Sequence, residues 1–144
     1  MIAIGSDHRG YRVKQQIMLL LTQKGHTFKD LGAYDEQPVD YPDIARLVGE
    51  EVASGAADKG ILICGTGIGV CIAANKIKGI RAAMCHDVFC ALRSRQHNNA
   101  NILCLPGDIQ DVPIDEIVKT FLETGFEGGR HQKRVDKITK MDNR

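Results

Sequence analysis

The chain has no tryptophan, and its aromatic content is only 5%, so a stacking platform for single-stranded nucleic acid has little to be built from. Lysine and arginine total 19 against 18 aspartates and glutamates, a formal net charge of +1. No excess of cations is available to neutralise a polyphosphate backbone, which excludes nucleic-acid binding as a main role while leaving small anions open. No uninterrupted apolar run is long enough to span a bilayer, and Met1 to Gly10 carry no basic segment ahead of a long apolar one. No membrane association and a cytoplasmic location are therefore expected. The five cysteines are an odd number, sit mostly in apolar surroundings, and form no C-x-x-C pair; histidine pairs at zinc-like spacing are missing as well. Neither a disulfide framework nor a metal site is expected, and the cysteine usage fits a reducing compartment.

What is present reads as one compact domain over residues 1–144, long enough to bury a real core without staples. Short β-rich runs alternate with stretches of helical period, the pattern of β-α-β units around a parallel sheet. The runs 2–4, 27–31, 60–64, 81–85 and 101–105 are predicted strands. Helices are predicted over 11–23, about 43–53, from the 65–69 turn through Ala73 and Ala74, then 87–95, 114–123 and 131–141. The fold expected is a three-layer α/β/α, Rossmann-like, doubly wound domain with a five-stranded parallel sheet. Gly25 is expected to end the first helix, and Asp43 to cap the second. The last helix has only Val135, Ile138 and Met141 as an apolar stripe, so it is expected to dock on a partner subunit.

In an open parallel sheet, ligands bind beyond the C-terminal ends of the strands. Ser6-Asp7-His8-Arg9, Cys64-Gly65-Thr66 and His86-Asp87 follow predicted strands, and His97-Asn98-Asn99 ends the helix before the fifth; all four segments are expected on one rim. Gly65-Thr66-Gly67-Ile68-Gly69 can turn successive backbone N–H groups to one side, making a cradle for a phosphate or for an oxyanion that forms during reaction. No P-loop lysine accompanies it, which argues against a nucleoside triphosphate. Cys64, last in its strand, would feel those amide dipoles and can serve as a base; Cys71, Cys85, Cys90 and Cys104 lack such a setting and read as core residues. His97 can act as acid or base near neutral pH, with Asn98 beside it as a donor to an oxyanion. Arg130 and Arg134 share a helical face, as a phosphate clamp or a solvated pair.

Seven blocks occur together in order: Gly5-Ser6-Asp7-His8, Asp40-Tyr41-Pro42, Ile63 to Gly69, Ile72 to Lys76, Gly79 to Ala82, Ser94 to Asn98, and Gly128 to Val135. On these blocks the chain resembles the ribose-5-phosphate isomerase B family, whose relatives include galactose-6-phosphate and allose-6-phosphate isomerases. The resemblance implies a metal-free aldose–ketose isomerase of carbohydrate metabolism that uses no cofactor. It also implies a homodimer or homotetramer whose active sites are completed across the dimer interface. Cys64 would remove the proton next to the carbonyl, assisted by Thr66, while amides of Gly65, Gly67, Ile68 and Gly69 hold the enediolate. His97 would open the furanose ring, Asn98 steady the oxyanion, and Asp7, His8 and Tyr41 line the sugar. Arg130 and Arg134 of a partner would grip the phosphate.

Two departures qualify that picture. One branch of the family uses a glutamate at the end of the glycine loop as base; Val70 stands there, so Cys64 has no carboxylate competitor. Members acting on ribose 5-phosphate commonly carry an arginine shortly after the fifth strand. Asp108 stands there, and Arg9 replaces a commonly small residue. Either Arg9 compensates or the substrate is a different sugar phosphate, a hexose phosphate included. A sugar-phosphate-binding protein without catalysis and a flavodoxin-like module are the rivals from other classes. A base is unnecessary for binding alone, and the acidic cluster of a phosphoacceptor is missing at the first strand.

Overall fold

The computed structural model describes residues 1–143. Its elements, in chain order, are β1 (Ile2–Ser6), α1 (Tyr11–Gln23), β2 (Phe28–Asp30), α2 (Tyr41–Ala53), β3 (Lys59–Cys64), α3 (Ile68–Ala74), β4 (Ala82–Met84), α4 (Val88–Gln96), β5 (Ile102–Pro106), α5 (Ile114–Glu123) and α6 (Arg130–Lys140), followed by a 3-10 turn at Met141–Asn143. The five strands form one parallel sheet in the order β2-β1-β3-β5-β4. β1 and β5 are buried at every position and β3 at all but its first residue, Lys59; strands covered on both faces need apolar side chains on both, which is why they read as continuous runs.

One face of the sheet packs Ile4, Ile61, Ile63, Leu103 and Leu105 against α1, α4 and α5 through Ile17, Leu21, Ala91, Ile117 and Phe121. The other packs Ala3, Leu62, Ile102 and Cys104 against α2 and α3 through Ile44, Val48, Val70 and Ala74. Gly25 ends α1 as expected: its φ is +77°, and the amides of Gly25 and His26 donate back to the carbonyls of Thr22 and Leu21, the paired bonds of a Schellman cap. The start of α2 differs from expectation. The capping position belongs to Asp40, and Asp43 lies inside the first turn; Pro42, whose fixed φ suits a first turn and whose missing N–H has no bond to lose there, starts the helix earlier. Lys14 is fully buried on α1, and its ammonium donates to Asp30 Oδ1 at 2.6 Å and to the Ala33 carbonyl, fastening the helix to the loop after β2.

α6 buries only His131 and Val135. Ile138 and Met141, expected in the same stripe, are exposed at 42% and 67%. Among the described residues no helix is long and apolar enough to cross a membrane.

Candidate active site

A cleft of ≈ 690 Å³ opens at the C-terminal ends of β1 and β3, where the strand order reverses direction. The loop after β1 contributes Asp7, His8 and Arg9, the β3–α3 turn contributes Cys64, Gly65, Thr66, Ile68 and Gly69, the start of α2 contributes Tyr41, and the segment after β5 contributes Asp108. Eight residues expected at the site therefore meet in one place.

The glycine turn is shaped for amide exposure. Gly67 has φ +82°, which strains any other residue, and a Cβ there would lie a tight 3.1 Å from the Leu105 carbonyl carbon. Its N–H donates to Cys64 Sγ at 3.2 Å. The amides of Gly65, Thr66 and Gly69 have no acceptor among the described residues. Thr66 lines the cleft and its Oγ1 accepts from Ile68 N at 3.2 Å, which leaves the hydroxyl hydrogen available to donate. A Cβ at Gly69 would meet the Tyr41 ring at 2.5 Å; that glycine is what lets the ring close over the turn. Cys64 is 5% exposed and lines the cleft floor.

Neighbouring polar groups are largely committed to backbone. Asp7 Oδ1 accepts from the amides of Arg9 at 2.9 Å and Gly10 at 3.1 Å, and His8 Nδ1 accepts from Val39 N at 3.3 Å. His86, which sequence reasoning placed at the rim without a role, brings Nε2 to 3.2 Å from the Thr66 carbonyl and so braces the turn. Asp87 caps α4 by accepting from Cys90 N at 2.7 Å.

His97, Asn98, Arg130 and Arg134 do not join this cleft, and the expectation of four segments on one rim is corrected to three. α4 starts at the C-terminal end of β4 and returns the chain to the start of β5, so His97, its C-cap, lies at the opposite end of the strands. There its ring stacks on His131 with centroids 4.1 Å apart and planes 13° apart. Glu127 N donates to the Gln96 carbonyl at 3.1 Å, and positive φ at Gly128 and Gly129 turns the chain into α6, which brings the two histidines together. Asn98 borders a smaller pocket with Asn75, Arg81 and Ile138. Arg130 and Arg134 are exposed on α6.

Among the described residues, His97, Glu127 and His131 are the group with ligand atoms close enough for a shared ion, within 4.8 Å of one another. Nearly parallel rings aim their in-plane lone pairs along parallel directions, so the two imidazoles cannot converge on one ion without unstacking. His131 Nε2 is buried without a hydrogen-bond partner, and its pKa is lowered by desolvation, then by His97 and Arg130, against a smaller opposing effect of Glu127. The stack is built for a neutral imidazole.

Of the four cysteines read as core residues, Cys85 and Cys104 are buried and Cys71 packs partly buried against the core, whereas Cys90 is exposed on the first turn of α4, which corrects its reading. On α3, Cys71 Sγ accepts from Asn75 Nδ2 at 3.6 Å and lies 3.5 Å from the Ala82 carbonyl, and its pKa is lowered to about 7 by the nearby Cys104 thiol, then by the Met84 backbone and Asn75, despite partial burial. Cys85 and Cys104 are pushed up by burial, Cys85 to about 12. Only Asn75, four residues on at the end of α3, could have been read beside Cys71 in the sequence; the other groups come from β4 and β5.

The comparisons with known proteins agree with one another. A family model described as Ribose/Galactose Isomerase matches residues 2–138. The chain is 43% identical over 144 residues to ribose-5-phosphate isomerase B of Escherichia coli, covering 99% of this chain and 97% of that one. The ribose-5-phosphate isomerase B structure from Clostridium thermocellum superposes with a TM-score of 0.96 at 47% identity, over 99% of this chain and 97% of that one. The Mycoplasma genitalium ribose-5-phosphate isomerase B, solved with bound ribulose-5-phosphate, superposes with a TM-score of 0.93 at 47% identity, over 99% and 95% of the two chains.

Proposed function

Because the chain belongs to the ribose/galactose isomerase family, we propose that it interconverts a phosphorylated aldose and its ketose, ribose 5-phosphate and ribulose 5-phosphate first among them, with Cys64 as the base. The observation that carries this reading is the sulfur at the cleft floor, 3.2 Å from the Gly67 amide and next to N–H groups with no protein acceptor. Ribulose-5-phosphate in the Mycoplasma genitalium relative supports the five-carbon substrate.

With the open-chain aldose bound, Cys64 Sγ takes the proton from C2 and the electron pair moves through C1 onto the carbonyl oxygen, giving an enediolate. The glycine-turn amides stabilise the charge on that oxygen, and the Thr66 hydroxyl is available to donate to it. The hydroxyl proton on O2 passes to O1, the sulfur returns its proton to C1, and the ketose results. These steps move protons only, so no redox cofactor is required.

Opening the sugar ring needs a group that protonates the ring oxygen and takes the anomeric hydroxyl proton. In this reading that group is His97, with Asn98 as an oxyanion donor and Arg130 and Arg134 as the phosphate grip. None of the four lines the cleft of its own chain, so they serve the cleft of a second copy in a homodimer. The outer, exposed α6 supports that docking.

An assay over pentose and hexose phosphates tests the proposal. Cys64→Ala is expected to lower turnover by about 10²–10⁴-fold with folding retained; parental turnover in that variant would mean another group is the base. A hexose phosphate turned over far ahead of ribose 5-phosphate would move the assignment to the hexose branch.

A further inference from the structure

Among the residues lining the cleft, Arg9 alone carries a permanent positive charge, whereas Asp7, Asp40 and Asp108 are acidic. A dianionic phosphate entering that cleft therefore meets three carboxylates from this chain and one guanidinium. Asp7 is turned inward onto two backbone amides. Arg9 Nη1 donates to Asp108 Oδ2 at 3.0 Å, a single bond that leaves most of the guanidinium's five N–H donors free.

The backbone holds this pair in register. Gly107 N donates to the Cys64 carbonyl at 2.7 Å and Asp108 N to the Gly65 carbonyl at 3.0 Å, so the segment after β5 runs alongside the glycine turn. Gly107 packs directly on the Arg9 carbonyl, with no room for a side chain. A Cβ at Gly65 would lie 2.8 Å from Asp108 Oδ2 and 3.2 Å from Arg9 Cδ, so the pair rests on the turn that carries the base. The two side chains are 63% and 44% exposed. Such a pair adds little to stability, and both of its residues line the cleft.

We propose that Arg9, steadied by Asp108, is the residue with which this chain's own cleft binds the phosphate of its substrate. This rests on the isomerase reading and extends it: a phosphate cation is supplied from the loop after β1, and the segment after β5 supplies the carboxylate that aims it. A fork of N–H donors matches phosphate oxygens, and the carboxylate beside it lowers the site's net charge, so the phosphate is held by geometry more than by bulk attraction.

The test measures KM and kcat for ribose 5-phosphate and, separately, competitive inhibition by inorganic phosphate. In Arg9→Gln, KM and the phosphate inhibition constant are expected to rise together by about 10- to 100-fold, the loss of a charge-assisted contact, with kcat within a few-fold of the parent. Arg9→Lys is expected to recover most of the phosphate affinity. The proposal is overturned if Arg9→Gln leaves phosphate inhibition at the parental value, if kcat falls in step with the rise in KM, or if Lys is no better than Gln. Calorimetric titration of the protein with inorganic phosphate needs no turnover. A chain that isomerises nothing yet loses phosphate binding in Arg9→Gln would break the isomerase reading and keep this one.

Discussion

The two ends of the sheet are built to different degrees of completeness. At the C-terminal end, a base candidate, a ring of backbone donors and a hydroxyl converge within one chain, all set by the β3–α3 turn and its neighbours. At the N-terminal end, His97 stacks on His131 beside an exposed α6 with two outward arginines, and the pockets that the described residues form there are smaller than the cleft. One end gathers the base candidate and its backbone donors; the other holds the imidazole assigned to ring opening. If the two ends serve one site, as proposed, the unit of function is larger than the chain.

The sharpest way to break that comparison is to separate the two ends genetically. Cys64→Ala and His97→Asn are each expected to be nearly inactive as homodimers. In the shared-site reading, refolding them together gives mixed dimers in which one cleft has both Cys64 and the partner's imidazole, and activity is expected to return. If mixing restores nothing while mixed dimers are demonstrably present, the two ends do not serve one site. At the cleft alone, Gly67→Ala places a side chain at φ +82° against the Leu105 carbonyl. This costs on the order of 1–3 kcal/mol of strain and displaces the amide that faces Cys64. A drop of about 10²–10³-fold in turnover is expected, with a melting temperature lower by several degrees; parental activity would remove the turn from the mechanism.

Thiol labelling at neutral pH sharpens the picture of the cleft's surroundings. Cys71 is lowered to about 7, whereas the more exposed Cys90 is raised by Asp87. Alkylation followed by mass spectrometry is expected to mark Cys71 faster than Cys90 by about tenfold or more, against the order that exposure alone predicts. The smallest effect belongs to the other end. His131 is held below its ordinary 6.5, so as pH falls through 6.5 the unfolded chain takes up protons that the folded chain does not. This residue's contribution to stability is therefore full above that value and declines below it. His131→Phe keeps the stack and cannot titrate; its melting temperature is expected to fall less steeply than the parent's from pH ~7.5 to ~5.5. Equal slopes would show that the stack does not disfavour the proton.

Much of this was legible in the residues themselves. Alternating apolar runs and helical periods fix strand and helix positions to within a residue or two, and α1 and α5 match their expected bounds, because burial on both faces leaves the sheet no other composition. The glycine turn is legible for a local reason: strand, cysteine and glycines are contiguous. His97 was misplaced because its location depends on direction of travel. Each strand tip in a parallel sheet lies at one end and each returning helix ends at the other, so a residue closing α4 cannot share a rim with residues that close β3. That parity is available from the order of elements alone. Cys71 and the Arg9–Asp108 pair were beyond the reach of sequence spacing, since all their partners but Asn75 arrive from distant strands and loops.

β5 runs from Ile102, beside the end of α4, to Pro106, opposite Cys64. At about 3.3 Å per residue it holds the two ends of the molecule roughly 13 Å apart along its length. A hydrogen-bonded sheet is no hinge, so no motion within a lone chain closes that gap. In the shared-site reading, falling apart and falling silent are then the same event. Specific activity should decline on dilution at whatever concentration the copies separate, which makes the amount of protein itself a control on its rate.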